Sequence, residues 1–303
     1  MISVAVGIAA YNEANNIGRL LKALSKETLS NGFSLDDICV VASGCTDGTE
    51  EVVKRCMRLD PRIRLLVEKE RKGKASAINI ILAKCRSNVL IMEPADTIPQ
   101  SSSLRSLVLP FKRKSVGATS GTEIPINSEH SVMGWIPHVQ WKLFDYVSES
   151  ENRDGTYYRL CGEFCAVRTG IVKAIPETTV NDDAYIGLQI KRAGYDIVFV
   201  PEAKVIGKGP ANVREYVTQR RRVIYGHMQL EKENKANIAT INPRQILKAL
   251  PRMIGLYPKK LLGTIAAITL EAFSTLLARM DMRRGKSHKK WLMVPSTKSL
   301  MSK

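Results

Sequence analysis

The first hundred residues alternate short apolar runs with stretches of helical period, and that alternation leaves few architectures open. Ile2 to Ala10 is a continuous apolar run closed by Tyr11-Asn12-Glu13, the pattern of a strand buried on both faces. Ile17, Leu20, Leu21 and Leu24 then repeat on one helical face. Ile38 to Ala42, Ile63 to Val67 and Val89 to Met92 read as further strands, with helices predicted through Val52, Val53 and Cys56 and over Gly73 to Cys85. Strands alternating with helices of this length predict an α/β fold, a mostly parallel sheet covered by helices on both faces. In such sheets ligands bind outside the carboxyl ends of the strands. Those ends are Tyr11-Asn12-Glu13, Ala42 to Thr49 and Glu93 to Asp96, so three polar clusters converge on one edge.

Beyond about residue 115 the alternation weakens. Met133 to Ser150 reads as an amphipathic helix whose Trp135, His138 and Trp141, at helical spacing, belong to a core. Cys165 to Arg168 and Asp196 to Val205 read as strands, with a helix over Asp182 to Ala193 between them and a basic helix from Val213 to Asn234.

Charge is uneven along the chain. Of the formal +17, residues 201–303 carry 21 Lys/Arg against 6 Asp/Glu, which leaves the first 200 residues almost neutral. A near-neutral body with a basic tail suggests docking to an anionic surface. The tail also holds Leu261 to Ala278, an apolar segment with one charge, Glu271. Lys259 and Lys260 precede it, and Arg279, Arg283, Arg284 and Lys286 follow. At about 1.5 Å per residue the segment spans roughly 27 Å, close to the hydrocarbon thickness of a bilayer, and basic flanks at both ends fit an interfacial helix at least as well as a spanning one. Two regions are therefore expected: a catalytic domain over residues 1–235 and a basic helical tail over 236–303. Six scattered cysteines without a C-x-x-C spacing, and a first residue run with no secretory signal, argue for a reducing, cytoplasmic location and against structural zinc.

Taken in order, seven segments resemble the family 2 glycosyltransferases, whose fold is called GT-A. They are VAVGIAAYNEANNI (4–17), VVASGCTDGT (40–49), KGKASAIN (72–79), VLIMEPADTIP (89–99), CGEFCAVR (161–168), VNDDAYIGL (180–188) and QRRRV (219–223). The resemblance implies a GT-A domain with a C-terminal helical membrane-associated region, acting on a nucleotide-sugar donor and a glycan or lipid-linked acceptor at the cytoplasmic face of an anionic membrane.

It also implies roles. Asp96 stands where the family has the second Asp of its D-x-D motif, which holds Mg²⁺ or Mn²⁺ against the donor diphosphate; such ions take oxygen ligands, so one or two carboxylates plus phosphates suffice. The motif's first Asp is replaced by Pro94, and the neighbouring Glu93 points to the opposite face of an extended chain. Asn181-Asp182-Asp183 stands where the family carries its catalytic base, with Asp183 in register and Asp182 beside it; read locally, two acids opening a helix also serve its dipole. Gln219, Arg221 and Arg222 belong to a Q-x-x-R-W-like element, in which arginine forks suit a pyrophosphate. Val223 replaces the Trp, which argues for addition of single sugars rather than processive polymerisation. Tyr11, Asn12 and Glu13 are expected against nucleotide and ribose, and Gly162, Glu163 and Gln219 on the sugar and acceptor side. Asp47 either reads the nucleotide or caps its helix, and Lys74 either contacts the donor or is a solvated lysine at a helix start.

Three other readings compete. A nucleotidyltransferase of related fold calls for a Gly-rich phosphate loop after the first strand, where this chain has Tyr11-Asn12-Glu13. A non-catalytic binder of the same fold is compatible with Ala42-Ser43, Pro94 and Val223 in place of functional residues. A nucleic-acid binder calls for aromatics interleaved with the basic clusters, and these are missing from the tail.

Overall fold

A computed structural model describes residues 1–234, 249–251, 254–288, 292–298 and 300. The apolar runs form strands β1 (Ile2–Ala10), β2 (Phe33–Ser43), β3 (Ile63–Glu68) and β4 (Val89–Pro94), separated by helices α1 (Ile17–Ser25), α2 (Thr49–Met57) and α3 (Lys74–Lys84). There follow β5 (Ile98–Pro99), α4 (Ser103–Val108), β6 (Val116–Pro125), α5 (Val132–Arg153), β7 (Cys165–Arg168), α6 (Asp182–Arg192), β8 (Asp196–Gly207), α7 (Val213–Asn234) and α8 (Leu261–Arg283).

All eight strands join one sheet in the order β3-β2-β1-β4-β7-β6-β8-β5. The first four are parallel, as the alternation predicts, but β7 runs antiparallel between β4 and β6, so the sheet is mixed. Strand β6 has no counterpart in the sequence reading. Its stretch VGATSGTEIP is polar in composition and yet almost wholly buried, because its hydroxyls find partners inside. Thr119 donates to the Leu107 carbonyl at 2.8 Å, and Ser120 accepts from the Cys161 amide at 2.7 Å. Satisfied in this way, polar side chains sit in a core at little cost.

One core fills the layer between the sheet and α1, α2 and α4, with Ile17, Leu20, Leu21 and Leu24 fully buried against Val4, Val6, Ile8 and Ile38. A second, on the opposite face, joins Ile78 and Ile81 of α3 to Ile186 and Ile190 of α6. A third lies outside the sheet, where Trp135, Ile136 and Val139 of α5 meet Tyr216 of α7 and Ala267 of α8.

Helix α8 extends five residues beyond the predicted Ala278 and is long and apolar enough to cross a bilayer by length and composition. It nevertheless packs along α5 and α7 by a face of small and polar residues, Gly263, Thr264, Ala267, Ser274, Ala278 and Asp281. The Trp135 indole donates to Thr264 at 3.2 Å, and Arg220 of α7 forms a forked ion pair with Glu271 at 2.8 and 2.6 Å. The opposite face leaves Leu262, Ile265, Phe273 and Leu276 exposed. The expected boundary at 235/236 lies outside the described residues.

The seat of α8 depends on a glycine. A β-carbon at Gly263 would lie 2.5 Å from the Trp135 ring. Gly263→Leu is therefore expected to destabilise the protein by about 1–3 kcal/mol, the usual cost of overpacking, read as a lower urea midpoint. An unchanged midpoint would show that α8 is not seated on α5.

Candidate active site

The carboxyl ends of β1 and β4, the loop before β7 and the start of α6 open into one cavity of about 1080 Å³, walled on its far side by α5, α7 and α8. Tyr11, Glu13, Lys74, Asp96, Gly162, Glu163, Asp182, Asp183, Gln219, Arg221 and Arg222 all line it. Of the residues expected in the site, Asn12 and Asp47 are outside the lining. Both are spent on holding the ends of β1 and β2 together. The Asn12 amide oxygen accepts from the Thr46 N–H at 2.9 Å, and Asn12 adopts a left-handed backbone (φ 53°) to do so. Asp47 accepts from the Thr49 and Ala14 amides, each at 3.0 Å, so it closes the turn into α2; Gly48, not Asp47, is the N-cap.

Two close approaches bring the acids of α6 to the cavity. Gly226 on α7 leaves room for Asn181, since a β-carbon there would lie 2.4 Å from the Asn181 amide oxygen. Asn181 in turn donates to the Val223 carbonyl at 2.8 Å, which pins the start of α6 beside Arg222. Gly162 allows the loop before β7 to pass Asp183, where a β-carbon would lie 2.9 Å from the carboxylate.

Too many acids are buried here for all of them to ionise. Burial pushes Glu163 up to about 7, with Lys74 pulling down against Asp96 and Asp183 pushing up. Asp183 is raised to about 6, first by burial and then by Asp182, with Lys74 and Arg222 opposing. Glu13 is raised to about 7 by burial and by Asp96, against Lys298. Lys74 is neither solvated nor aimed at open space: it sits 3.1 Å from Asp182 and also feels Asp183 and Glu163. Arg222 is buried among Glu163, Asp182 and Asp183; desolvation brings it down to about 10, which those acids resist. The three arginines of QRRRV thus divide, with Arg220 held by Glu271 and Arg221 by Asp281 of α8, and Arg222 turned toward the acids.

Several cavity residues escaped sequence reasoning. Glu93 does face inward: it is 3% exposed, one oxygen accepts from Thr97, and the other has no partner among the described residues. Strand alternation sets Glu93 and Pro94 on opposite faces of β4, and both border the cavity. Glu123 lies on the unrecognised β6 and is held well above the carboxylate range by burial, then by Glu163 and Asp96. Trp141, assigned to the core, lines the cavity and hydrogen-bonds Glu123. Arg71 lies over the Tyr11 ring at 3.8 Å. No local pattern marks Lys298, which reaches Glu13 and Asp96 from the far end of the chain.

Carboxyls held neutral above their ordinary range make the folded chain bind protons that the unfolded chain releases. The stability they contribute is complete below the unfolded value near 4.5 and is lost as pH rises through about 7. The metal-free protein is expected to be more stable in urea at pH 5 than at pH 8, by on the order of 2 kcal/mol. A midpoint that falls between pH 8 and pH 5 would contradict this charge balance.

Comparison with known proteins places this arrangement. The structure resembles a mannosyltransferase, PcManGT, from Pyrobaculum calidifontis, solved in complex with GDP-Man and Mn²⁺, with a TM-score of 0.64 and 24% identity over 93% of this chain and 79% of that one. It also resembles a glucosyl-3-phosphoglycerate synthase from Mycobacterium tuberculosis, solved with Mn²⁺, UDP and glucosyl-3-phosphoglycerate, with a TM-score of 0.50 and 16% identity over 75% and 79%. These likenesses establish the GT-A fold. The probable glycosyltransferase YdaM of Bacillus subtilis is 22% identical over 80% of this chain, and the glycosyltransferase AglE of Haloferax volcanii 28% identical over 41%. The chain spans 60% and 37% of the lengths of those two proteins. Residues 5–175, more than half of the chain, match the family model described as glycosyl transferase family 2, and the chain belongs to that family.

Proposed function

We propose that this protein is an inverting glycosyltransferase that moves one sugar from a nucleotide-diphosphate sugar to a lipid-linked acceptor at the cytoplasmic face of a membrane. The reading rests on one observation: Asp96 and Asp183, far apart in sequence, line a single cavity, and Glu163 between them interacts with both. Asp183 takes the proton of the acceptor hydroxyl as that oxygen attacks the anomeric carbon. Lys74 and Arg222 hold the negative charge on the acids of α6. Tyr11 borders the donor, and Gly162, Glu163 and Gln219 the transferred sugar.

The donor end suits a divalent metal, Mg²⁺ or Mn²⁺. Asp96 already holds a positive group, the Lys298 ammonium at 3.3 Å, and Glu93 beside it has an oxygen without a partner among the described residues. When bound, such an ion neutralises the diphosphate as it leaves. The solved relatives named above, one with GDP-Man and one with UDP, both contain Mn²⁺, which supports this reading.

The acceptor class follows from where the cavity leads. From the acids it continues past Trp141 and Phe144 to Ala267, Ile268 and Thr275 of α8. The outer face of α8 is exposed and apolar, with Lys259 at one end and Arg279, Arg283 and Arg284 at the other. A helix locked to the body by Arg220–Glu271 and Arg221–Asp281, with one apolar face and basic ends, suits the interface of an anionic bilayer better than its interior. On this reading residues 1–235 carry the chemistry and the remainder docks it.

With a panel of nucleotide-sugars, Mn²⁺ and lipid acceptors, Asp183→Asn is expected to lower kcat by about 10²–10⁴ while donor binding persists. Because the base must be ionised and its carboxyl is raised to about 6, kcat/KM of the wild type falls as pH drops through that value. Donor binding with no transfer by the wild type would mark a non-catalytic binder instead. Leu262→Glu with Leu276→Glu is expected to abolish flotation with phosphatidylglycerol vesicles and leave the fold intact. Undiminished flotation would remove α8 as the docking element.

A further inference from the structure

Residues 292–298 and 300 lie at the cavity mouth. Ser296 accepts from the Ala211 amide at 3.0 Å and donates to Glu215 of α7, which anchors the segment on one side of the mouth. On the other side the Leu300 amide donates to Asn16 at 3.3 Å, and Leu300 is buried. Between these anchors Lys298 extends its ammonium inward. It donates to Glu13 Oε1 and, at 3.3 Å, to Asp96 Oδ2.

Two carboxylates from different strand ends therefore share one positive group. Glu13 is 4% exposed, and its other oxygen accepts from Asn16 at 3.2 Å, which fixes the carboxylate in place. Next to the pair, Glu93 keeps an inward-facing buried oxygen with no hydrogen-bond partner among the described residues. The Asp96 turn follows β4 and Glu13 follows β1, and these strands are paired, so the sheet itself sets the two acids side by side. The shared ammonium marks a place where two carboxylate oxygens already face one cation. Mg²⁺ and Mn²⁺ are commonly held by one or two carboxylates, with phosphate and water completing the shell. Among the described residues no group of three or more His, Cys, Asp or Glu is arranged to hold a metal, so a two-carboxylate site completed by water, and by phosphate once the donor is bound, fits the geometry.

We propose that Glu13 and Asp96 together form the divalent-cation site, Glu13 supplying the carboxylate that Pro94 cannot, and that Lys298 is the internal cation that fills the site until a metal displaces it. The proposal rests on the metal-assisted reading above and adds a second ligand and a competitor. A +2 ion and an ammonium cannot both occupy the gap between the same two oxygens. Entry of the metal expels Lys298, and the strap carrying it is then free to meet the incoming diphosphate.

The test is Mn²⁺ binding by the full-length protein without nucleotide, followed from the EPR signal of free Mn²⁺. Lys298→Gln removes the competitor from an accessible strap and is expected to bind Mn²⁺ about tenfold more tightly than wild type, while Lys298→Arg behaves as wild type. Glu13→Gln and Asp96→Asn, each also made in the Lys298→Gln background, are expected to weaken binding at least tenfold. Equal affinity in wild type and Lys298→Gln would overturn the competition. Mn²⁺ binding that Asp96→Asn abolishes and Glu13→Gln spares would overturn the two-carboxylate site and leave the metal-assisted reading standing. Binding in none of these proteins would overturn both.

Discussion

The architecture of the cavity is governed by the burial of acids. Glu13, Glu93, Asp96, Glu123, Glu163, Asp182 and Asp183 line one space, where Lys74 is set against Asp182, Lys298 against Glu13 and Asp96, and Arg222 acts on Glu163 and Asp183. Water solvates little of this cluster, so each acid either finds one of those cations or is driven toward its neutral form. Burying these acids costs stability in the metal-free protein. The sheet makes the cluster unavoidable. Parallel strands β1 and β4 deliver Glu13 and Asp96 to the same edge, and antiparallel β7 brings the preceding Gly162-Glu163 loop to that edge as well.

Helix α8 is the second constraint. Its acids Glu271 and Asp281 take Arg220 and Arg221 from α7, leaving Arg222 as the member of the triplet turned to Glu163 and the acids of α6. The same helix presents its apolar side outward. The exposed apolar face and part of the cavity wall therefore belong to one helix.

How much of this was legible in the sequence depends on the range of the interaction. The parallel half of the sheet was readable, because an apolar run such as Ile2–Ala10 admits few other fates. Asp96, Glu163 and Asp183 were found because each follows or precedes a recognisable element in a familiar order. Strand β6 was not, since Thr119, Ser120 and Thr122 look like loop residues until their hydrogen-bond partners are known. Asp47 accepts from the Thr49 and Ala14 amides, and the second of these comes from a distant loop that no local pattern indicates. Lys298 lies in a short segment with no periodicity, and its partners Glu13 and Asp96 are at the other end of the chain, so nothing local announces it.

The cluster is most directly tested by ¹³C NMR titration of the side-chain carboxyls in the metal-free protein. Glu163 should titrate near 7 and Asp183 near 6, and both should move higher when Lys74 is replaced by Met, because that ammonium lowers each of them. Carboxyls that titrate near 4 and ignore the loss of Lys74 would mean that these acids are solvated and apart, and the account of a single charged cavity would fall.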